Sequence, residues 1–255
     1  MPGPVRIAMW SGPRNISTAM MRAWENRADT AVVDEPFYAH YLAATGVKHP
    51  GRDVVLRAQG TDAKAVAVHL IGPIPHGRSI WYQKHMTQHM LPDMSLDWLD
   101  GVTNCFLIRD PTEVVASFTI QRPDAAVWEL GFEQQARIFD HVCQHLGHAP
   151  PVIDAADVLK DPRKVLTTLC AALGVEFSER MLHWPAGPRA TDGVWAPYWY
   201  AAVERSTGFA PYRPHRNTLS RFQQNLVAAC LPHYARLAAQ RVVGIDRTLS
   251  APAGH

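Results

Sequence analysis

Short apolar runs that read as buried strands alternate along this chain with runs of helix-forming composition, and that alternation constrains its fold more than any other feature. Val5–Trp10 (VRIAMW) is apolar and ends in a Gly-Pro turn, and Thr18–Trp24 has helical composition with Ser17 or Thr18 placed to cap it. Further strands are expected at Thr30–Asp34, Ser79–Gln83, Val102–Ile108 and Val152–Asp154. Helices are expected at Thr61–Leu70 with Thr61 as cap, from Pro111 to about Ile120, near Trp128–Leu146, and over Pro162–Leu173 up to Gly174. A final helix spans Leu219–Gln240, where Pro232 is expected to kink or divide it. This order implies an α/β fold, a mostly parallel sheet with helices on both faces, whose ligands bind beyond the carboxyl ends of the strands.

Nothing in the sequence marks a repeat or linker, so 1–255 is read as a single domain, with an aromatic-rich covering segment at about 184–215 and a frayed tail from about 250. A hydrophobic content of 47% over 255 residues suffices for a substantial core. The balance of 25 Lys and Arg against 23 Asp and Glu leaves +2, too little for a generic grip on nucleic acid or an anionic membrane. Any anion site must therefore be local. Cys105, Cys143, Cys170 and Cys230 form no CxxC pair and read as free thiols. No apolar run approaches the ~18 residues of a membrane span, and Met1-Pro2-Gly3-Pro4 lacks a signal-peptide layout. Cytoplasmic residence is the resulting expectation; the sequence sets no oligomeric state.

The loop Ser11-Gly12-Pro13-Arg14-Asn15-Ile16-Ser17-Thr18 joins the first strand to the first helix, where backbone N–H groups and the helix dipole make an anion site. Arg14 adds a charged fork, Ser17 and Thr18 add hydroxyl donors, and the chemistry suggests phosphate. The segment does not fit G-x-x-x-x-G-K-S/T, because Ser17 follows Gly12 by five residues and no lysine precedes it, which removes the main support for Mg-ATP. The plainer alternative is a capped helix with a solvated arginine.

A second element favours the anion reading. The fourth strand ends in Arg109-Asp110-Pro111, with Ser117 about two turns into the following helix, so that Arg109 and Ser117 can reach one phosphate. With these residues the sequence resembles the sulfotransferases that use 3′-phosphoadenosine 5′-phosphosulfate (PAPS). Pro13-Arg14-Asn15-Ile16-Ser17-Thr18 is similar to the family's 5′-phosphosulfate loop, and Arg109 to Ser117 to its 3′-phosphate stretch. Val158-Leu159-Lys160-Asp161-Pro162, Leu166 and Leu173-Gly174-Val175 extend the resemblance over roughly residues 5–185. It implies a P-loop-like three-layer sandwich, with Gly12, Pro13, Arg14, Asn15, Ile16, Ser17, Thr18, Arg109 and Ser117 around PAPS. Two departures stand out: Ile16 stands where the family usually has Gly, and the Lys/Arg-Lys-Gly segment near the C-terminus has no clean counterpart; Arg213, His215 and Arg216 are read first as an exposed basic turn and in the alternative as its substitutes.

Sulfuryl transfer needs positioning, charge stabilisation on the leaving side and a base for the acceptor proton, and no metal is expected. Arg14 is the candidate for the leaving phosphate. For the base, Glu35 in Asp34-Glu35-Pro36-Phe37 resembles a segment in which some members present a catalytic glutamate; its rival is His85 after the third strand, with the adjacent Lys84 as a catalytic contact for the transferring group. His141, His145 and His148 share a helical spacing that metal ligands also use, but solvated helix surface is the preferred reading. Buried aromatics are usually core, so Trp195–Tyr212 is read as packing, with a wall of the acceptor pocket as the alternative. The expected function is sulfuryl transfer from PAPS to a hydroxyl or amine of a small molecule or glycan. The alternatives are a P-loop small-molecule kinase and a non-catalytic nucleotide-binding protein.

Overall fold

The computed structural model describes residues 3–214 and 218–242. The chain runs β1 (Val5–Ser11), α1 (Ser17–Glu25), β2 (Thr30–Asp34), α2 (Tyr38–Thr45), α3 (Arg52–Ala58), α4 (Ala63–Leu70) and β3 (Ile80–Met86). Then come β4 (Thr103–Ile108), α5 (Pro111–Phe118), α6 (Phe132–Leu146), β5 (Val152–Asp154), α7 (Ala155–Lys160) and α8 (Pro162–Ala172). Two one-turn helices, α9 (Ala196–Trp199) and α10 (Ala201–Glu204), precede α11 (Arg221–Ala238). The five strands pair in the order β2-β3-β1-β4-β5, every pair parallel.

Because β1 is central, side chains from both sides of its pleat are buried, which explains a strand apolar at nearly every position. Ile7 and Met9 enter one core with Met20, Met21 and Trp24 of α1 and Leu166, Leu169 and Cys170 of α8. Ala8 and Trp10 enter the other, with Leu70 of α4, Ile138 and Phe139 of α6 and Leu237 of α11. The result is the expected three-layer α/β sandwich. Among the described residues no helix is long and apolar enough to cross a membrane. Cys105, Cys143, Cys170 and Cys230 are unpaired thiols, three of them buried.

Several expected boundaries move. Neither Ser17 nor Thr18 caps α1: its N-cap is Ile16, with no side-chain cap hydrogen bond. Asp62, not Thr61, caps α4, accepting from the amides of Lys64 and Ala65. The single helix expected near Trp128–Leu146 is broken at Gly131, whose φ of 73° separates a 3-10 turn at Val127–Leu130 from α6. Pro232 lies inside an unbroken α11, on its exposed side, where the carbonyl of Ala228 that loses its partner can meet water. β3 runs three residues beyond Gln83 and takes in Lys84 and His85, which the sequence reading had placed after the strand. The helices α2 and α3 were not expected. The covering segment carries α9 and α10, and Trp195 within it is buried. The tail from about 250 lies outside the described residues.

Gly131 is fixed by two constraints at once. Its backbone is left-handed, and a Cβ there would stand 2.5 Å from Thr87 Oγ1 and 3.0 Å from the Gln88 amide nitrogen. We predict that Gly131→Ala lowers the unfolding free energy by at least about 1–2 kcal/mol, the worth of left-handed strain alone, as measured by urea denaturation. An unchanged midpoint would mean that the turn relaxes freely.

Candidate functional site

The loop after β1 is built on two left-handed residues, Arg14 at φ 57° and Ile16 at φ 49°. Asn15 between them is buried, and its Nδ2 donates to the Leu107 carbonyl at 2.6 Å, tying the loop to the end of β4. Gly12 allows a close approach, since a Cβ there would lie 2.9 Å from the Leu130 carbonyl oxygen. Ile16 takes the conformation that glycine adopts easily and packs its side chain against the α1-side core. With no side chain capping α1, the loop residues Pro13 to Ala19 line a cavity of about 380 Å³. Gly12 supports this loop without lining the cavity. Ser17 is buried there, its hydroxyl 3.9 Å from Met86 Sδ.

Arg109 and Ser117 line the same cavity. The Arg109 Nη1 donates to the Arg14 carbonyl at 2.6 Å and its Nε to Glu113 at 2.8 Å, while Arg14 Nε donates to Ser117 Oγ at 2.9 Å. Burial, and after it the charge of Arg109, lowers the Arg14 guanidinium from its ordinary pKa. Two cations drawn together in this way favour an anion between them, which is the chemistry a phosphate or phosphosulfate supplies. A second cavity of about 940 Å³ adjoins, lined by Arg109, Ser117, Tyr212, Arg213 and Gln223. Arg213 is thus beside the Arg109–Ser117 pair; His215 and Arg216 lie outside the described residues. Glu113 was not anticipated here, and Tyr212, expected only as part of the aromatic segment, donates its hydroxyl to Glu113 at 2.8 Å.

At the other end of the cavity the Lys84 ammonium donates to Asp34 at 2.8 Å, Glu35 at 2.7 Å and Tyr200 Oη at 2.6 Å. Asp34 and Lys84 are register partners on β2 and β3, so the parallel pairing itself sets their contact. Burial alone would push the Lys84 ammonium down, but Asp34 and Glu35 outweigh it and hold the group well above its usual range. Burial raises the Glu35 carboxyl; Lys84 pulls it down and Asp34 pushes it up again, with a net rise. Glu35 sits at φ 40°, its side chain 12% exposed toward the cavity. A carboxylate raised by burial in a cavity wall is a stronger base than an ordinary one and suits proton abstraction.

His85 is not brought to this cavity. Adjacent strand residues point to opposite faces, so Lys84 and His85 cannot share a site. The His85 ring stacks on Trp10 at 4.3 Å in the opposite core, contacts Gln83, and is pushed down to about 3 by burial. His89 lies in the cavity instead, its Nε2 4.0 Å from Glu35 Oε2, together with Tyr38, His49 and Trp199. Its only sequence signal was its position just past the end of a strand. Within the aromatic segment, Trp195 is core and donates to Tyr200 Oη at 3.1 Å, whereas Trp199 lines the cavity. His141 and His145 of α6 lie 3.6 and 3.2 Å from the Asp100 carboxylate, and His148 contacts the Ala149 carbonyl. Among the described residues no group of three or more His, Cys, Asp or Glu is arranged to hold a metal.

A family model described as a sulfotransferase domain matches residues 5–241. Branched-chain-amino-acid aminotransferase-like protein 1 of Arabidopsis thaliana is 36% identical over 252 residues, covering 99% of this chain and 45% of that protein. Its protein 2 counterpart is 34% identical over 228 residues, covering 89% of this chain and 40% of that one. The chain therefore spans less than half the length of these curated relatives. The sulfotransferase domain of the Synechococcus PCC 7002 olefin synthase superposes with TM-score 0.52 at 19% identity, over 90% of this chain and 95% of that one. A sulfotransferase from Alicyclobacillus acidocaldarius gives TM-score 0.53 at 14% identity, over 95% and 98%. At these identities the likeness is one of fold.

The buried ion cluster predicts its own stability signature. Lys84→Met leaves Asp34 and Glu35 facing one another without a counter-ion, so the variant should lose about 3–5 kcal/mol at pH 7.5. Removing the ammonium also raises the Glu35 carboxyl further. A carboxyl whose pKa is higher folded than unfolded binds its proton preferentially in the folded state, so the deficit shrinks as pH falls toward 5. Urea titrations at both pH values check this, and a deficit independent of pH would contradict the assignment.

Proposed function

The chain belongs to the sulfotransferase-domain family, and from that premise we propose that it transfers a sulfuryl group from PAPS to a hydroxyl or amine of a small-molecule or glycan acceptor. The observation that carries this reading is one cavity lined both by Arg14, Ser17, Arg109 and Ser117 and by Lys84 and Glu35. Bound PAPS would supply the activated sulfuryl group and its leaving phosphate. The loop after β1, with Arg14, holds that phosphate and stabilises its developing charge, Arg109 and Ser117 hold the 3′-phosphate, and Arg213 stands near them. Lys84 fixes Glu35, and Glu35 takes the acceptor proton as the acceptor attacks sulfur and the sulfur–oxygen bond to the nucleotide breaks. No metal is part of this scheme. The P-loop-like character and the single-domain organisation are retained as parts of the proposal. The free, mostly buried thiols favour a reducing, cytoplasmic setting.

Calorimetry with 3′-phosphoadenosine 5′-phosphate (PAP), and with ATP in the presence and absence of Mg²⁺, tests the premise: PAP binding without metal is expected, and Mg-ATP binding in its place would favour a kinase. Arg109→Ala should weaken PAP by about 1.5–3 kcal/mol and leave 5′-AMP nearly unaffected, because its proposed partner is the 3′-phosphate. Equal losses for both nucleotides would put Arg109 elsewhere. Glu35→Gln keeps size and hydrogen bonding but removes the proton acceptor. It should preserve PAP affinity and slow PAPS turnover by about 10²–10⁴-fold, and a normal rate would exclude Glu35 as the base.

A further inference from the structure

Glu35 does not stand alone in the cavity wall. One of its oxygens, Oε1, is held by Lys84 at 2.7 Å; the other, Oε2, faces His89 Nε2 at 4.0 Å. His89 sits in the 3-10 turn Thr87–His89 directly after β3, its ring stacked on Tyr38 at 4.8 Å and 5° and set against Tyr41 at 4.7 Å. Two tyrosines thus fix the plane of the imidazole. The ring is 2% exposed, and its Nδ1 is buried without a hydrogen-bond partner among the described residues.

The gap between Oε2 and Nε2 is too long for a hydrogen bond. An oxygen standing off the line between them can nevertheless lie about 2.8 Å from both, an ordinary hydrogen-bond distance. Burial, followed by the nearby His49 and Lys84, drives the His89 imidazolium well below its ordinary range, which favours the neutral ring with a single N–H. The facing carboxylate favours that proton on Nε2. The pair therefore offers one acceptor and one donor to a single visiting atom.

We propose that Glu35 and His89 together hold the acceptor atom and that this atom is a hydroxyl oxygen, the O–H donating to Glu35 Oε2 and one lone pair receiving the His89 Nε2–H. The proposal rests on the sulfuryl-transfer reading and deepens it. A hydroxyl oxygen has two lone pairs, so one can accept from His89 while the other attacks sulfur. A neutral amine has a single lone pair, and engaging it with His89 removes the nucleophile. In the transfer the new oxygen–sulfur bond forms, the bond from sulfur to the nucleotide phosphate breaks, the hydroxyl proton passes to Glu35, and His89 keeps its own proton. His89 is then a catalytic residue that orients the oxygen, and the site is selective for alcohols and phenols over amines.

The test uses the full chain with PAPS and a matched pair of probes, phenol and aniline, both largely neutral at pH 7, with water-dependent PAPS hydrolysis as a third acceptor reaction. PAP affinity by calorimetry is measured alongside. Transfer to phenol or water is expected, with aniline slower by about 10-fold or more, the size of one lost hydrogen bond. His89→Ala should lower transfer to oxygen about 10–100-fold at unchanged PAP affinity and erase the preference over aniline, and His89→Gln, which keeps an N–H at a comparable reach, should recover part of the rate. In ¹⁵N-histidine spectra His89 should be the neutral Nε2–H tautomer. The assignment is overturned by aniline matching phenol in the wild type, by a folded His89→Ala that transfers normally, by the Nδ1–H tautomer, or by a protein that binds PAP yet acts on neither phenol nor water. Failure of the wild type to bind PAP would instead overturn the sulfuryl-transfer reading itself.

Discussion

The Lys84 ammonium is the point on which the arrangement of the cavity depends. It is 1% exposed, and a charge so deeply buried is tolerable only when paired and fully hydrogen-bonded. Its three partners come from separate parts of the chain: Asp34 from the end of β2, Glu35 from the turn that follows, and Tyr200 from between α9 and α10. Asp34 also accepts from Tyr200 Oη at 2.7 Å and from the Gly193 amide at 3.1 Å. One cation therefore closes the sheet edge, presents the Glu35 carboxylate and pins the aromatic covering segment over both. The ion cluster and the lid-like aromatic wall are one construction.

Backbone strain is concentrated in the same place. Of the non-glycine residues with left-handed φ, Arg14, Ile16 and Glu35 all line the cavity, and His76 is the remaining one among those described. A β-branched residue such as Ile16 is unfavourable in that region, and each such residue costs on the order of 1–3 kcal/mol. The surroundings supply the restraint. Asn15 anchors the loop to β4, Ile16 buries its side chain, and the Glu35 backbone is held by the Lys84 carbonyl at 3.0 Å as well as by the ion pair. Ile16 thus holds a left-handed turn while its side chain packs against the α1-side core.

The layer architecture was legible because a central parallel strand must be apolar on both faces, as VRIAMW is, and because the helices between strands carry ordinary amphipathic patterns. The anion loop and the Arg109–Ser117 stretch were legible for a related reason: strand ends and helix starts are where a parallel sheet exposes backbone donors. What the sequence did not disclose was set by three-dimensional pairing. Tyr200 enters the site across 116 residues and Asp34 owes its role to register with Lys84, neither of which has a local signal. The pairing of Lys84 with His85 as site residues, by contrast, was open to correction from the sequence alone. Once β3 is allowed to run through both, period two sends one into the cavity and the other against Trp10. His89 was missed because residues beyond a strand end have no period to place them.

The two arginines are not equivalent in charge, and this bears on how a nucleotide with two anionic ends would be divided between them. Arg109 is paired with Glu113, which Tyr212 also engages, so part of its charge is already compensated. Arg14 touches the neutral Ser117 hydroxyl and keeps its charge for the cavity. Under the proposed function the stronger field falls on the loop after β1, where negative charge grows as the leaving phosphate departs. Binding at Arg109 must compete with a carboxylate that remains beside it. Under the proposed function a phosphate there would gain less from Coulomb attraction than from the fixed donors of Arg109 and Ser117, so this end would contribute recognition while the Arg14 end would contribute catalysis. Under the proposed function the same four side chains, Arg14, Arg109, Glu113 and Ser117, would thus separate recognition of one phosphate from stabilisation of the charge that develops on the other.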